Sequence, residues 1–132
     1  MNLSELDRRF SLLVRSRAGW TCAVCRRNFR AAPELLHCSH FHSRGLKSVR
    51  FDLDNAEALC FRCHEFMDSH PKVHADWKRE RLGEERFWEL HRRSREVRKV
   101  DARAIRGQIA ELEGLCKSDS LGCSELRSSS SS

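Results

Sequence analysis

Apolar residues recur at helical spacing near the start of the chain, at Leu6, Phe10, Leu13 and Val14, and the run ends at Gly19. With Ser4 as N-cap and Asp7 three residues on, the pattern predicts a first helix. It carries one apolar stripe and a basic face of Arg8, Arg9, Arg15 and Arg17. Leu35–His42 and Ser48–Asp52 read as short strands, and the SRGLK segment between them, with Gly45, suits a hairpin connection. From Leu59 to about Ser69 the spacing turns helical, and Pro71 stops it. A helix around His74–Leu82 should end at Gly83. Glu84 and Glu85 then occupy the first turn of another, whose apolar side begins with Phe87, Trp88 and Leu90. Asp101 reads as the N-cap of a last helix bearing Ala104, Ile105, Ile109, Leu112 and Leu115.

These elements predict an α+β fold. A short two-strand core over residues 20–70 is flanked by an N-terminal helix over 1–19 and a helical extension over 71–115. The Ser-rich stretch 116–132 should be disordered, since it holds too few apolar groups to offset the cost of ordering. The 132 residues leave room for one domain, and 39% hydrophobic residues spread over amphipathic helices leave a small central core. Small cores usually need a covalent or metal staple. The seven cysteines offer one, and their odd number argues against a fully paired disulfide set. The first ten residues mix charges of both signs without an apolar run, so no secretory signal is expected, and no stretch is apolar enough for a membrane span. A reducing cytoplasm is therefore the expected compartment, where cysteine pairs more often hold metal. Lys and Arg (25) outnumber Asp and Glu (19), and the +6 balance is compatible with a polyanionic partner.

Two Cys-x-x-Cys pairs, Cys22/Cys25 and Cys60/Cys63, can supply the four thiolates that Zn²⁺ prefers in a structural site. Such an ion is worth on the order of 10 kcal/mol of folding free energy. Cys38, Cys116 and Cys123 lack a partner at ligand spacing, and read as a buried strand thiol and two tail thiols.

Around the cysteines stand His40, Asn55 and His64, and Asn55–His64 reads NAEALCFRCH. This stretch resembles the HNH endonuclease motif, in which the Asn precedes by nine positions a His that directly follows the second CxxC. The segments HFHSRG and VRFDLDN, with the later Trp77…Leu82-Gly83…Leu90 pattern, are further similar to the phage NinG (Rap)-like recombination nucleases. The resemblance implies a ββα-metal finger, with His40 on the first strand, Asn55 at the end of the second and His64 on the helix. It also implies a metal-dependent DNA endonuclease in a bacterial or phage-infected cell, with branched or recombination intermediates among its expected substrates. Its partner would be double-stranded or branched DNA. Its cofactors would be a structural Zn²⁺ and a catalytic Mg²⁺ or Mn²⁺.

The residue types suit that chemistry. An imidazole titrating near neutrality can take a proton from water, the role given to His40. His64, on a helix clamped by zinc, would hold the catalytic ion, and Asn55 would hold the hairpin loop or orient the base. Arg44, Lys47 and Arg50, with Arg92, Arg93 and Arg95, could grip phosphates, although the latter run also suits a solvated helix face. Many HNH enzymes carry an acid just before the first His, where this chain has Ser39. A second metal ligand is then needed: Asp68, one helical turn after His64, is favoured, and His42, two residues after His40 on the same strand face, is the alternative. His37, His70, His74 and His91 read as packed or surface residues, and Trp77, Phe87 and Trp88 as core. Loss of chemistry through Ser39 would leave a catalytically inactive zinc-dependent DNA-binding protein. A zinc-stabilised interaction module is a further alternative.

Overall fold

The computed structural model describes residues 3–97 and 99–118. Helix α1 spans Leu3–Arg17 and buries Leu6, Phe10, Leu13 and Val14, the stripe its periodicity predicts. Ser4 lies within its first turn, not at the cap. Asp7 turns outward to accept from the Arg50 guanidinium (3.0 Å). Gly19, at φ 62°, takes the left-handed turn that ends the helix.

Strand β1, Leu36–His40, pairs antiparallel with β2, Ala56–Cys60, in the register Leu36↔Cys60 to His40↔Ala56. The second strand is therefore not Ser48–Asp52. That segment is a succession of tight turns, in which the amides of Val49, Asp52 and Asn55 donate to the carbonyls of Leu46, Val49 and Asp52. Val49, wholly buried, plugs the loop into the core; its alternation with Phe51 imitates a strand without a neighbouring strand to pair. The true strand, AEALC, is rich in helix formers, and pairing with β1 overrides their propensity. Asn55 consequently sits in a 3₁₀ turn, Leu53–Asn55, just ahead of β2.

Register divides the sheet into two faces. Leu36, Cys38 and His40 lie with Ala56, Ala58 and Cys60 toward α1, whose Leu6, Phe10 and Val14 complete that part of the core. His37, Ser39, Glu57 and Leu59 face α2, Phe61–Ser69, and α3, Pro71–Leu82. Pro71 does stop α2, and starts α3 in the position where its missing N–H costs nothing. Gly83, at φ 86°, separates α3 from α4, Glu84–Ser94. Helix α5, Ala102–Ser118, is capped by the Asp101 carboxylate, which accepts from the Ala104 amide (3.1 Å). It packs on α1 through buried Ile109 and the Arg9–Glu113 ion pair (2.6 Å).

The helix thus runs past residue 115, where the tail was expected to begin. Cys116 falls within this helix, and Cys123 with residues 119–132 lies outside the described residues. Trp77 and Phe87 pack inside as expected, but Trp88 is about half exposed, with Arg79 over its ring and its indole N–H donating to Glu84 (2.9 Å). No helix among the described residues is long and apolar enough to cross a membrane.

The α3 face of the sheet holds a charge with no route to water. Lys78 is 0% exposed and donates to Glu57 (3.0 Å), which also pairs with Arg81 (2.8 Å). Removing one member of such a pair strands the other in a low-dielectric site. Glu57→Gln should therefore lower stability by about 3–5 kcal/mol in a denaturant titration. The double variant Glu57→Leu/Lys78→Met should recover most of that loss, because the fully buried charge is gone and Arg81 still reaches water.

Candidate functional site

The two CxxC pairs meet at one end of the sheet. Cys22 and Cys25 flank a turn in which the Cys25 amide donates toward Cys22 Sγ (3.5 Å) and the Arg26 amide donates to the Cys22 carbonyl (3.0 Å). Arg26 adopts φ 66°, so the chain reverses within the turn. The Ala23 amide donates to the Ala58 carbonyl (2.8 Å) and docks the turn on β2. Cys60 ends β2 and Cys63 lies in the first turn of α2, so the second pair spans a strand–helix junction.

All four Sγ atoms lie within 4.8 Å of one another, and Cys25 Sγ is 3.8 Å from Cys60 Sγ. Sulfurs bound tetrahedrally at 2.3 Å would stand about 3.8 Å apart, the Cys25–Cys60 distance, so the set fits a structural ion such as zinc. Burial raises the Cys22 thiol pKa, but the backbone amides of Cys60, Cys25 and Val24 outweigh it and leave that thiol below its ordinary value. Burial and the neighbouring sulfurs push Cys63 well up. A cation is what allows four such sulfurs to share the space as thiolates.

Beside this cluster lies an open cleft of about 550 Å³, with His37, His40, Arg44, His64 and Asp68 among its lining residues. His40, at the end of β1, packs on Phe10 (ring centroids 6.0 Å), and its Nε2 lies 3.0 Å from the Arg50 carbonyl oxygen. A carbonyl can only accept, so Nε2 carries the proton and Nδ1 is the basic nitrogen. Burial holds the imidazole below the ordinary histidine pKa, against the opposing effect of the Arg50 contact.

The loop that carries the Arg50 carbonyl is in turn held by Asn55, through His42 and through Val49, the residue before Arg50. Asn55 is 0% exposed; its Oδ1 accepts from the His42 amide (2.8 Å), and its Nδ2 donates to the carbonyls of His42 (3.0 Å) and Val49 (3.2 Å). One side chain thereby ties both ends of the loop that presents Arg50 to His40.

His64 lies on α2 as expected, with Nε2 3.4 Å from Asp68 Oδ2. Its Nδ1 points the other way, 3.1 Å from His37 Nδ1. His37 was expected to be a packed or surface residue, and its partner lies far along the chain. The clue available in the sequence is strand alternation, which puts His37 on the face opposite His40 and toward the helix that follows β2.

His42 does not share a strand face with His40. The strand has ended, and its ring stands beside Phe41 (4.8 Å) and His91 (5.6 Å), with Nε2 buried and unpartnered. His74 is buried against Phe41 (5.0 Å), and His70 is exposed at the end of α2.

The candidate phosphate-gripping cations divide in two. Arg50 is bound to Asp7 and Arg93 to Asp52 (2.8 Å) and Asp54 (3.4 Å), where they hold α1 and α4 to the loop. Arg92 pairs with Glu89 (3.1 Å) and Glu96 (2.8 Å) on its own surface. Arg44, Lys47 and Arg95 are exposed. A second cleft, about 650 Å³, runs between the Cys22 turn and α3, and its lining contains none of His40, Asn55 or His64. No protein-family model matches the chain, and no curated protein or solved structure does either.

Purified protein should hold about one Zn²⁺ per chain by elemental analysis. Cys60→Ser, which breaks the strand–helix corner of the cluster, should lose both the ion and the cooperative unfolding transition. Folded, soluble wild type without zinc would contradict this assignment.

Proposed function

We propose that this chain is a metal-dependent DNA endonuclease of the HNH type, hydrolysing phosphodiester bonds in double-stranded or branched DNA. The supporting observation is the relay from Asn55 to the loop, from the loop to the Arg50 carbonyl, and from that carbonyl to His40 Nε2. It dictates the tautomer a general base needs, in a cleft shared with His64 and the exposed Arg44.

In this reading, water oxygen attacks phosphorus as its proton passes to His40 Nδ1. The P–O3′ bond breaks, and the departing 3′-oxygen takes a proton from solvent, leaving a 5′-phosphate and a 3′-hydroxyl. His64 would hold a divalent ion, which when bound supplies Lewis-acid stabilisation of the phosphate and leaving oxygen. Lys47, which is exposed, and Arg44, which is exposed and only loosely paired with Asp7 (3.9 Å), are the cations placed to contact flanking phosphates. The inactive DNA-binding alternative draws support from Ser39. Its neutral hydroxyl is buried and unpartnered, where many enzymes of this type carry an acidic ligand.

Cleavage of plasmid and branched DNA with and without added divalent ion tests the reading. His40→Ala should cut the rate about 10²-fold or more while DNA affinity stays near wild type. Equal cleavage by the two proteins favours the binding alternative. The depressed His40 pKa keeps its base form at mildly acid pH. On acidification the rate should therefore fall to half at a pH below the ordinary histidine value of about 6.5.

Salt dependence tests the cations. Arg44→Gln/Lys47→Gln should flatten the slope of log K against log salt by about one unit per lost contact. An unchanged slope would mean that these two residues do not contact phosphate.

A further inference from the structure

We infer that His37 and His64 form a two-imidazole site for a divalent transition-metal ion, with Asp68 acting as the carboxylate that orients His64. Metal at this place is part of the endonuclease reading, on which the inference rests for its catalytic meaning. The ligand pair and the ion class are new to it.

The geometry carries the case. Two nitrogens bound to one ion at 2.0–2.1 Å stand about 2.8–3.4 Å apart for octahedral to tetrahedral angles. His37 Nδ1 and His64 Nδ1 are 3.1 Å apart, with rings nearly perpendicular at 80°. They already lie along one edge of a coordination polyhedron. Asp68 Oδ2 stands on the far side of the same ring, 3.4 Å from Nε2. From there the carboxylate's charge favours a proton on Nε2, which leaves the Nδ1 lone pair to face His37. Carboxylates commonly orient metal-binding histidines this way. In this position Asp68 faces Nε2 and not the nitrogen that meets His37.

The backbone that holds the pair is rigid. His37 follows Leu36, the register partner of Cys60, and His64 follows Cys63. His64 thus stands one residue from the four-cysteine cluster and His37 one residue from the cross-strand partner of Cys60, with the Phe61 ring nearly perpendicular to that of His37 (6.1 Å). Both also line the cleft that contains His40, so the remaining coordination positions are open to water or a phosphate oxygen.

Two imidazoles and no carboxylate select for borderline ions such as Ni²⁺, Co²⁺ or Zn²⁺. Mg²⁺, which demands oxygen ligands and dehydrates reluctantly, should bind poorly.

The test uses full-length protein with the cysteine site loaded with zinc, titrated with Ni²⁺ by calorimetry in the absence of DNA. One additional site should appear, and a hundredfold excess of Mg²⁺ should not displace the ion. His37→Gln should weaken binding at least tenfold. Asp68→Asn should weaken it by about 10–100-fold, as for other orienting carboxylates. His70→Gln should leave it unchanged.

A second measurement needs no variant. Substoichiometric Co²⁺ should shift or broaden the imidazole NMR signals of His37 and His64 before any others. The inference is overturned if no ion binds, or if the His37 signals stay sharp while His37→Gln binds as wild type. It is also overturned if the ion is lost on His42→Ala and kept on His37→Gln, leaving His37 and His64 in a plain imidazole hydrogen bond. Binding through His37 without DNA cleavage would keep the site and sink the endonuclease reading. Cleavage with Mg²⁺ that survives His37→Gln would do the reverse.

Discussion

Convergence of four cysteine sulfurs at one end of a two-strand sheet is the constraint on which everything else rests. A sheet of two five-residue strands is too small to be stable on its own. The cluster ties it to the turn that follows α1 and to the first turn of α2, so the N-terminal helix, the sheet and the next helix share one fixed corner. Core burial on the α1 face then has a rigid base to build on, and Cys22, wholly buried, belongs to both the cluster and the core. The same corner sets His37 and His64 against each other.

A second, smaller constraint shapes the cleft. The loop over residues 41–55 has almost no regular structure, yet its backbone must hold one carbonyl within hydrogen-bonding distance of His40. Val49 supplies the apolar anchor, and Asn55 supplies three hydrogen bonds that only a side chain with both a donor and an acceptor can make. Being fully buried, that amide would be costly to leave unmatched, so the loop has one favoured conformation.

Charge is distributed in a way that composition conceals. Several of the cations that give the chain its +6 balance work inside the fold. Lys78 is buried beneath Glu57, Arg50 joins the loop to α1, and Arg93 joins it to α4. The surface available to a polyanion is correspondingly smaller than the count of basic residues implies. Arg44 and Lys47 in the hairpin loop and Arg95 after α4 remain exposed.

Local chemistry determined a good deal of this protein before any folding is considered. The stripe of α1, the stop at Pro71, the turn at Gly83 and the cap at Asp101 all express interactions within a few residues. The CxxC spacing expresses the size of an ion. Tertiary structure decided the rest, because it depends on partners far away in the chain. Ala56–Cys60 became the second strand in place of Ser48–Asp52, since only a strand beside β1 can satisfy its backbone and carry Cys60 to the cluster. Strand register put His37 against His64, and the end of β1 sent His42 toward His91. Asp7, Asp52 and Asp54 claimed arginines that in sequence look free. Spacing along the chain records which residues share an element's face; which faces meet is settled only when burial and pairing across the whole molecule are satisfied together.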